Sequence, residues 1–153
     1  MRPGFPQICL YQPEIPQNTG TIGRLVAGTG CRLHLIRPFG FSVDDRNLKR
    51  AGLDYWPFLD LEIHDDLEKL LGEHPKVAFL SKLAKKPFTE IPTDTTLFVF
   101  GRETSGLPKP LFEERADDFY RIPLFHQGVR SLNLANAVSI VVYNQLEKRG
   151  QLA

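Results

Sequence analysis

Apolar and polar positions along the chain switch between two periods. QICLY (7–11) is a short apolar run, and RLHLI (32–36) alternates at every second residue, as strands do. Between them, Ile22, Leu25 and Val26 fall at i, i+3 and i+4. They make one face of a helix over 18–30, with Asn18 as its candidate N-cap and Gly30 as its stop. SVDD (42–45) has capping-box spacing and predicts a short helix through Arg50. Asp65 or Asp66 caps a helix that carries Leu67, Leu70 and Leu71 and closes at Gly72. VAFL (77–80) and TLFVF (96–100) are fully apolar, the pattern of strands buried on both faces. Pro108 opens another helix, and FYRI (119–122) is a further strand.

This alternation predicts an α/β fold with a mostly parallel sheet flanked by helices, in a single domain over 1–153. In the last helix, NLANAVSIVVYNQLEKRG (133–150), Leu134, Val138, Val141, Val142 and Leu146 form one stripe, while Ile140 and Tyr143 lie outside it. So wide an apolar surface predicts cover on more than one side. That cover is either a subunit interface, a two-fold dimer in a small domain, or burial within the monomer.

Composition narrows this only slightly. With 153 residues, 42% hydrophobic and 24% charged, the chain suits one globular domain. No apolar run reaches the ~18 residues of a membrane span, and Met1-Arg2-Pro3-Gly4 runs into a strand too soon for a signal peptide. The expectation is therefore a cytoplasmic protein. Cys9 and Cys31 stand in apolar segments and read as reduced core thiols. A net charge of +1 leaves polyanion binding open only through local clusters. Arg46, Lys49 and Arg50, then Lys82, Lys85 and Lys86, then Lys148 and Arg149 are the candidates.

The candidate chemistry sits in loops. In LFVFGRETSGLP (97–108) a core strand runs into four polar residues between Gly101 and Gly106. Ligands of parallel α/β sheets bind at the carboxyl ends of strands, which is where this loop lies. No phosphate loop and no nucleophile elbow occurs, and Gly28-Thr29-Gly30 lacks the third glycine of a dinucleotide fingerprint. His34, His64, His74 and His126 lack metal spacing, so no metal is expected, and His34 reads as structural. A hydrolase pairing Glu103 with His126 has nothing to orient the two. Three polar groups remain: Asn18-Thr19-Gly20 with Arg24, Gly101 to Gly106, and GVRSLN (128–133) opening the last helix.

These segments carry a resemblance. PEIPQNTGTIGRLVAGTG, FGRETSGLP and IPLFHQGVRSLNLANAVSIVVYNQL resemble the three motifs of the SPOUT class of RNA ribose methyltransferases. RPFGFSVDDRNLKRAGLDYW (37–56) and the short length are similar to the TrmL family of tRNA wobble-nucleotide 2′-O-methyltransferases. The resemblance implies a carboxyl-terminal trefoil knot, a homodimer, and S-adenosylmethionine held in the knot. It implies methyl transfer to the ribose 2′-hydroxyl of the wobble nucleotide in the tRNA anticodon stem-loop, cytidine or a modified uridine, with leucine tRNAs as substrates.

The cofactor residues it implies are Leu80, Gly101, Glu103, Gly106, Ile122, Leu124 and Ser131, with Gly101 and Gly106 admitting close backbone approach. The catalytic set is Arg24, Asn18, Glu103, Arg130 and Asn133. Arginine stays protonated, so Arg24 is expected to hold a phosphate or the developing oxyanion rather than act as a base. Asn18 is assigned to orient Arg24 or the ribose, and Glu103 to hold an arginine or steer the sulfonium. Lys49, Arg50, Arg130, Lys148 and Arg149 are the expected RNA contacts. Arg102 and Ser105 depart from some relatives, on the RNA side of the site. The chain begins just before its first strand and ends just after its last helix, so no RNA-binding extension is expected. The rivals are a 2′-O-methyltransferase for another tRNA or rRNA site, and a non-catalytic RNA-binding dimer.

Overall fold

The computed structural model describes residues 1–43, 48, 50 and 55–153. The capping box at Asp45, and the cations Arg46 and Lys49, lie outside the described residues. Strands β1 (Gln7–Tyr11), β2 (Arg32–Ile36), β3 (Leu61–His64), β4 (Val77–Leu80), β5 (Lys86–Pro87), β6 (Leu97–Phe100) and β7 (Phe119–Arg121) form one seven-stranded sheet. Its order is β3-β2-β1-β6-β4-β7-β5, and every pairing is parallel. Helices α1 (Pro16–Thr29), α2 (Leu67–Gly72), α3 (Lys109–Arg115) and α4 (Leu134–Lys148) cover both faces.

The alternation inside the central strands divides the core. Ala78, Leu80, Phe98 and Phe100 face α1 and α4, where they pack with Ile22, Val26, Val138 and Val142. Val77, Phe79, Leu97 and Val99 face the other way, against Leu67, Leu70 and Leu71 of α2 and Leu111 of α3. VAFL and LFVF are thus apolar throughout because each side chain meets a helix layer. The Phe79 and Phe119 rings stack at 4.9 Å between centroids. Cys9 and Cys31 are both buried and free, as their apolar settings predict.

Two strands went unread in the sequence. β3 (LEIH) is half-polar and, among the described residues, pairs on one side only, at the sheet edge. β5 is two residues long and bonds only to β7. The α1 cap also differs. Its N-cap is Ile15, and Asn18 stands inside the helix with its side chain committed elsewhere. On α4 the predicted stripe is buried, whereas Ile140 and Tyr143 are 37% and 50% exposed. No helix among the described residues is long and apolar enough to cross a membrane.

His34 is buried within the sheet layer, with Nε2 on Gln7 Oε1 at 2.7 Å and Nδ1 on His64 Nε2 at 2.9 Å. Burial first, then the charges of His64, His74 and Arg32, push its imidazole down to about 3, with Asp60 opposing. Glu62 is the other charged group facing it, at 3.8 Å. The unfolded chain therefore binds a proton between pH ~6.5 and ~3 that the native chain refuses. Stability from this group is complete above ~6.5 and falls by about 1.4 kcal/mol per pH unit as the solution is acidified through that window. Urea titrations at stepped pH are expected to show this slope, reduced in His34→Gln.

Candidate active site

A cleft of about 440 Å³ opens at the carboxyl ends of β4, β6 and β7, within the ~300–1,000 Å³ typical of small-molecule sites. Leu80, Phe100, Ile122 and Leu134 give it an apolar floor. One wall is the 101–107 loop. It is closed by Arg102 N donating to Gly106 O at 3.2 Å and Gly106 N donating to Arg102 O at 3.0 Å. The other wall is Arg130 to Asn133, leading into α4.

The structure gives each glycine of the first wall a reason of its own. A Cβ on Gly101 would stand 2.4 Å from the carbonyl carbon of Gly106, so Gly101 is fixed by the loop folding back on itself. Gly106 has φ +66, a left-handed conformation that side chains disfavour, and a Cβ there would meet nothing within 4 Å. Close approach of a ligand accounts for Gly106 at most, and loop closure accounts for Gly101.

A polar network ties the three motif segments together. Glu103 Oε1 accepts from Glu14 N at 3.0 Å, and Oε2 accepts from Ile15 N at 2.7 Å and from Asn18 Nδ2 at 3.4 Å. Glu14 reciprocates, its carboxylate accepting from Thr104 N at 3.0 Å and from the Thr104 hydroxyl at 2.9 Å. Those two Thr104 bonds hold the Glu14 carboxyl below the usual carboxylate range. Asn133 Nδ2 donates to Asn18 Oδ1 at 3.0 Å, and Asn133 Oδ1 caps α4 by accepting from Asn136 N at 3.2 Å. Asn18 is thus the bridge between Glu103 and Asn133.

This geometry gives two of the expected residues partners within the fold. Glu103 holds the backbone ahead of α1, with no arginine on it among the described residues. Asn18 uses one amide hydrogen on Glu103 and accepts from Asn133 at its oxygen, so its side chain is held in place at the cleft. Glu103→Gln replaces one accepting oxygen by an amide that points N–H at N–H. We expect a loss of about 1.5–3 kcal/mol, the scale of hydrogen bonds to a charged group, with weakened cofactor affinity. Thermal melts and calorimetric titration with S-adenosylhomocysteine check both.

The cleft gathers Leu80, Gly101, Glu103, Gly106, Ile122, Leu124 and Ser131, together with Asn18, Arg130 and Asn133. It does not gather Arg24. That residue is exposed on α1, its guanidinium 4.5 Å over the Tyr55 ring and its Nη2 donating to the Tyr55 hydroxyl at 3.0 Å. Nor does it gather Lys148 and Arg149. Lys148 Nζ donates to the carbonyls of Thr89 and Ile91, both at 2.8 Å, and Arg149 donates to those of Thr95 and Gly4. Both stand at the far end of α4, about 22 Å along its axis from Asn133. Desolvation lowers the Arg149 pKa from its usual value. These two cations fasten the end of α4 to the fold. Arg50 is exposed. Lys82, one of the candidate basic residues, and Thr104, inside the Gly101 to Gly106 group, also line the cleft. Their positions just beyond β4 and β6 were the available signal.

Fold and cleft together define an α/β protein with a ligand-sized cleft at the strand ends of a parallel sheet. The chain belongs to the SpoU rRNA Methylase family, whose pattern matches residues 6–143. It is 49% identical over 149 residues to the Bacillus subtilis (strain 168) protein named "Putative tRNA (cytidine(34)-2'-O)-methyltransferase", covering 93% of this chain and 92% of that protein. It is 44% identical over 147 residues to the Escherichia coli (strain K12) tRNA (cytidine(34)-2'-O)-methyltransferase, covering 94% and 93%. A solved structure described as "Structural insights into the 2-OH methylation of C/U34 on tRNA" superposes with a TM-score of 0.86 at 41% identity, covering 97% of this chain and 96% of that one.

Proposed function

We propose that this protein transfers a methyl group from S-adenosylmethionine to the ribose 2′-hydroxyl of the tRNA wobble nucleotide. The observation that carries the reading is the convergence of all seven expected cofactor residues on one cleft. The names of relatives 44% and 49% identical to this chain support the substrate.

The cleft fits the cofactor. Leu80, Ile122 and Leu124 offer apolar surface to adenine, and main chain around Gly106 leaves room at its edge. The amino terminus of α4, 15 residues long, presents its positive dipole end beside Ser131, where a carboxylate is favoured. When bound, S-adenosylmethionine supplies an electrophilic methyl group on a sulfonium. This chain's task is to align the ribose oxygen with that methyl, which contributes up to about 7–11 kcal/mol in ideal cases. The Glu103–Asn18–Asn133 network holds the two cleft walls at fixed spacing for that alignment. Arg130, exposed at the mouth, is placed for a phosphate. Arg24 acts from outside the cleft of its own subunit, on the RNA backbone or the developing oxyanion.

The same reading includes a single domain over 1–153, the carboxyl-terminal knot, a homodimer through the exposed Ile140 and Tyr143 side of α4, cytoplasmic action and leucine tRNAs as substrates. The fold likeness supports the knot, and the apolar residues on α4 support the dimer. The test is methyl transfer to two anticodon stem-loops that differ only in a 2′-deoxy wobble cytidine. The ribose form is expected to be labelled and the deoxy form not. Equal labelling would move the reaction to another atom. Tight cofactor binding distinguishes an enzyme from a bare RNA-binding dimer.

A further inference from the structure

Away from the cleft, β2 and β3 bring together groups that are distant in sequence. His34 and Glu62 are partners in the parallel register, and His64 stands two residues beyond Glu62 on the same face. His34 Nδ1 and His64 Nε2 are 2.9 Å apart. Glu62 oxygens lie 3.8 Å from His34 Nδ1 and 3.9 Å from His64 Nε2. One donor atom from each residue lies within 4.8 Å of the other two.

We propose that His34, His64 and Glu62 form a three-ligand site for a borderline divalent transition ion, Zn²⁺ foremost, on the β2–β3 edge of the sheet.

The donor set is right for zinc, which takes two imidazoles and a carboxylate and leaves a fourth position to water. Tetrahedral bonds of ~2.0–2.1 Å put donor atoms a little over 3 Å apart, within a small rearrangement of this triangle. The ring orientation is also supplied. Gln7 Oε1 can only accept, so His34 Nε2 carries the hydrogen and Nδ1 turns its lone pair toward His64 and Glu62. A ring N–H held by an acceptor is the usual support behind a metal-bound histidine. Without metal, His64 Nε2 donates to that lone pair. With metal, the His64 proton moves to Nδ1 and both lone pairs point at the ion.

Arg32 Nη1 lies 3.5 Å from Glu62 and competes for it. Its Nε is closer to Asp60, at 3.0 Å, so Arg32 keeps a partner when Glu62 turns to the metal. The sequence concealed this site because its ligands come from two strands, with His34 and His64 thirty residues apart. An ion there would pin edge strand β3, which among the described residues bonds only to β2.

The test uses the full chain, untagged and treated with chelator. Co²⁺ is titrated and followed by its visible absorption, with Zn²⁺ in competition. One equivalent of Co²⁺ is expected to bind with nitrogen–oxygen tetrahedral or five-coordinate bands, to be displaced by Zn²⁺, and to raise the melting temperature. His64→Asn and Glu62→Gln leave buried His34 in place and so preserve the fold. His64→Asn is expected to lower affinity by at least ~10–100-fold, the scale seen when even supporting partners of metal ligands are lost. His126→Ala is the control and retains binding. No saturable binding by the folded protein, binding that survives His64→Asn, or a cobalt–thiolate charge-transfer band from Cys9 or Cys31 would each overturn the assignment.

Discussion

Gly101→Ala is expected to weaken cofactor binding by ten-fold or more in a chain that still folds its sheet. The added Cβ would stand 2.4 Å from the Gly106 carbonyl carbon and 2.6 Å from Leu107 N, and neither backbone atom has a flexible end to yield. The loop must open, breaking the paired bonds between Arg102 and Gly106. Overpacking of this kind costs about 1–3 kcal/mol. The cost falls on the wall of the cleft, because β6 itself is held on both sides by β1 and β4. Titration with S-adenosylhomocysteine should show affinity lost by ten-fold or more, on the order of the 1.4 kcal/mol per decade that such a cost implies. Far-ultraviolet circular dichroism should be retained.

Arg24→Ala separates binding from chemistry. Arg24 is exposed, touches Tyr55, and does not line the cleft. Cofactor affinity is therefore expected to stay unchanged. Methyl transfer is expected to fall by about 10²–10³-fold, the scale for removing one group that stabilises developing charge. Single-turnover assays at saturating cofactor read this directly. Arg24→Lys should recover little, because a point charge replaces a planar fork. Full activity in Arg24→Ala would remove this residue from the reaction.

The central strands were legible because burial on both faces leaves an unbroken apolar run in Val77–Leu80 and Leu97–Phe100. β3 and β5 were not, since an edge strand with half-exposed residues has no such pattern. The stripe on α4 was read residue by residue, and its buried members match. Asn18 misled in an instructive way. Asparagine near a helix start signals a cap, yet here the helix begins with Pro16 and the amide spans two other segments. Residues 14, 103, 18 and 133 meet only after the sheet brings the strand ends together, and no local pattern encodes that meeting. Lys148 and Arg149 looked like free surface cations because carbonyl partners leave no trace in sequence. The residues expected to hold the cofactor stood out by motif resemblance alone, because Leu80, Ile122 and Leu124 are ordinary apolar residues with no side-chain signature.

The most direct test of the account is methyl transfer from labelled S-adenosylmethionine to total tRNA lacking wobble methylation, with the product nucleotide mapped by mass spectrometry. The account predicts a single 2′-O-methyl group on the wobble nucleotide. A methyl group at another position, or none from protein shown to hold the cofactor and supplied with the full tRNA pool, would contradict it.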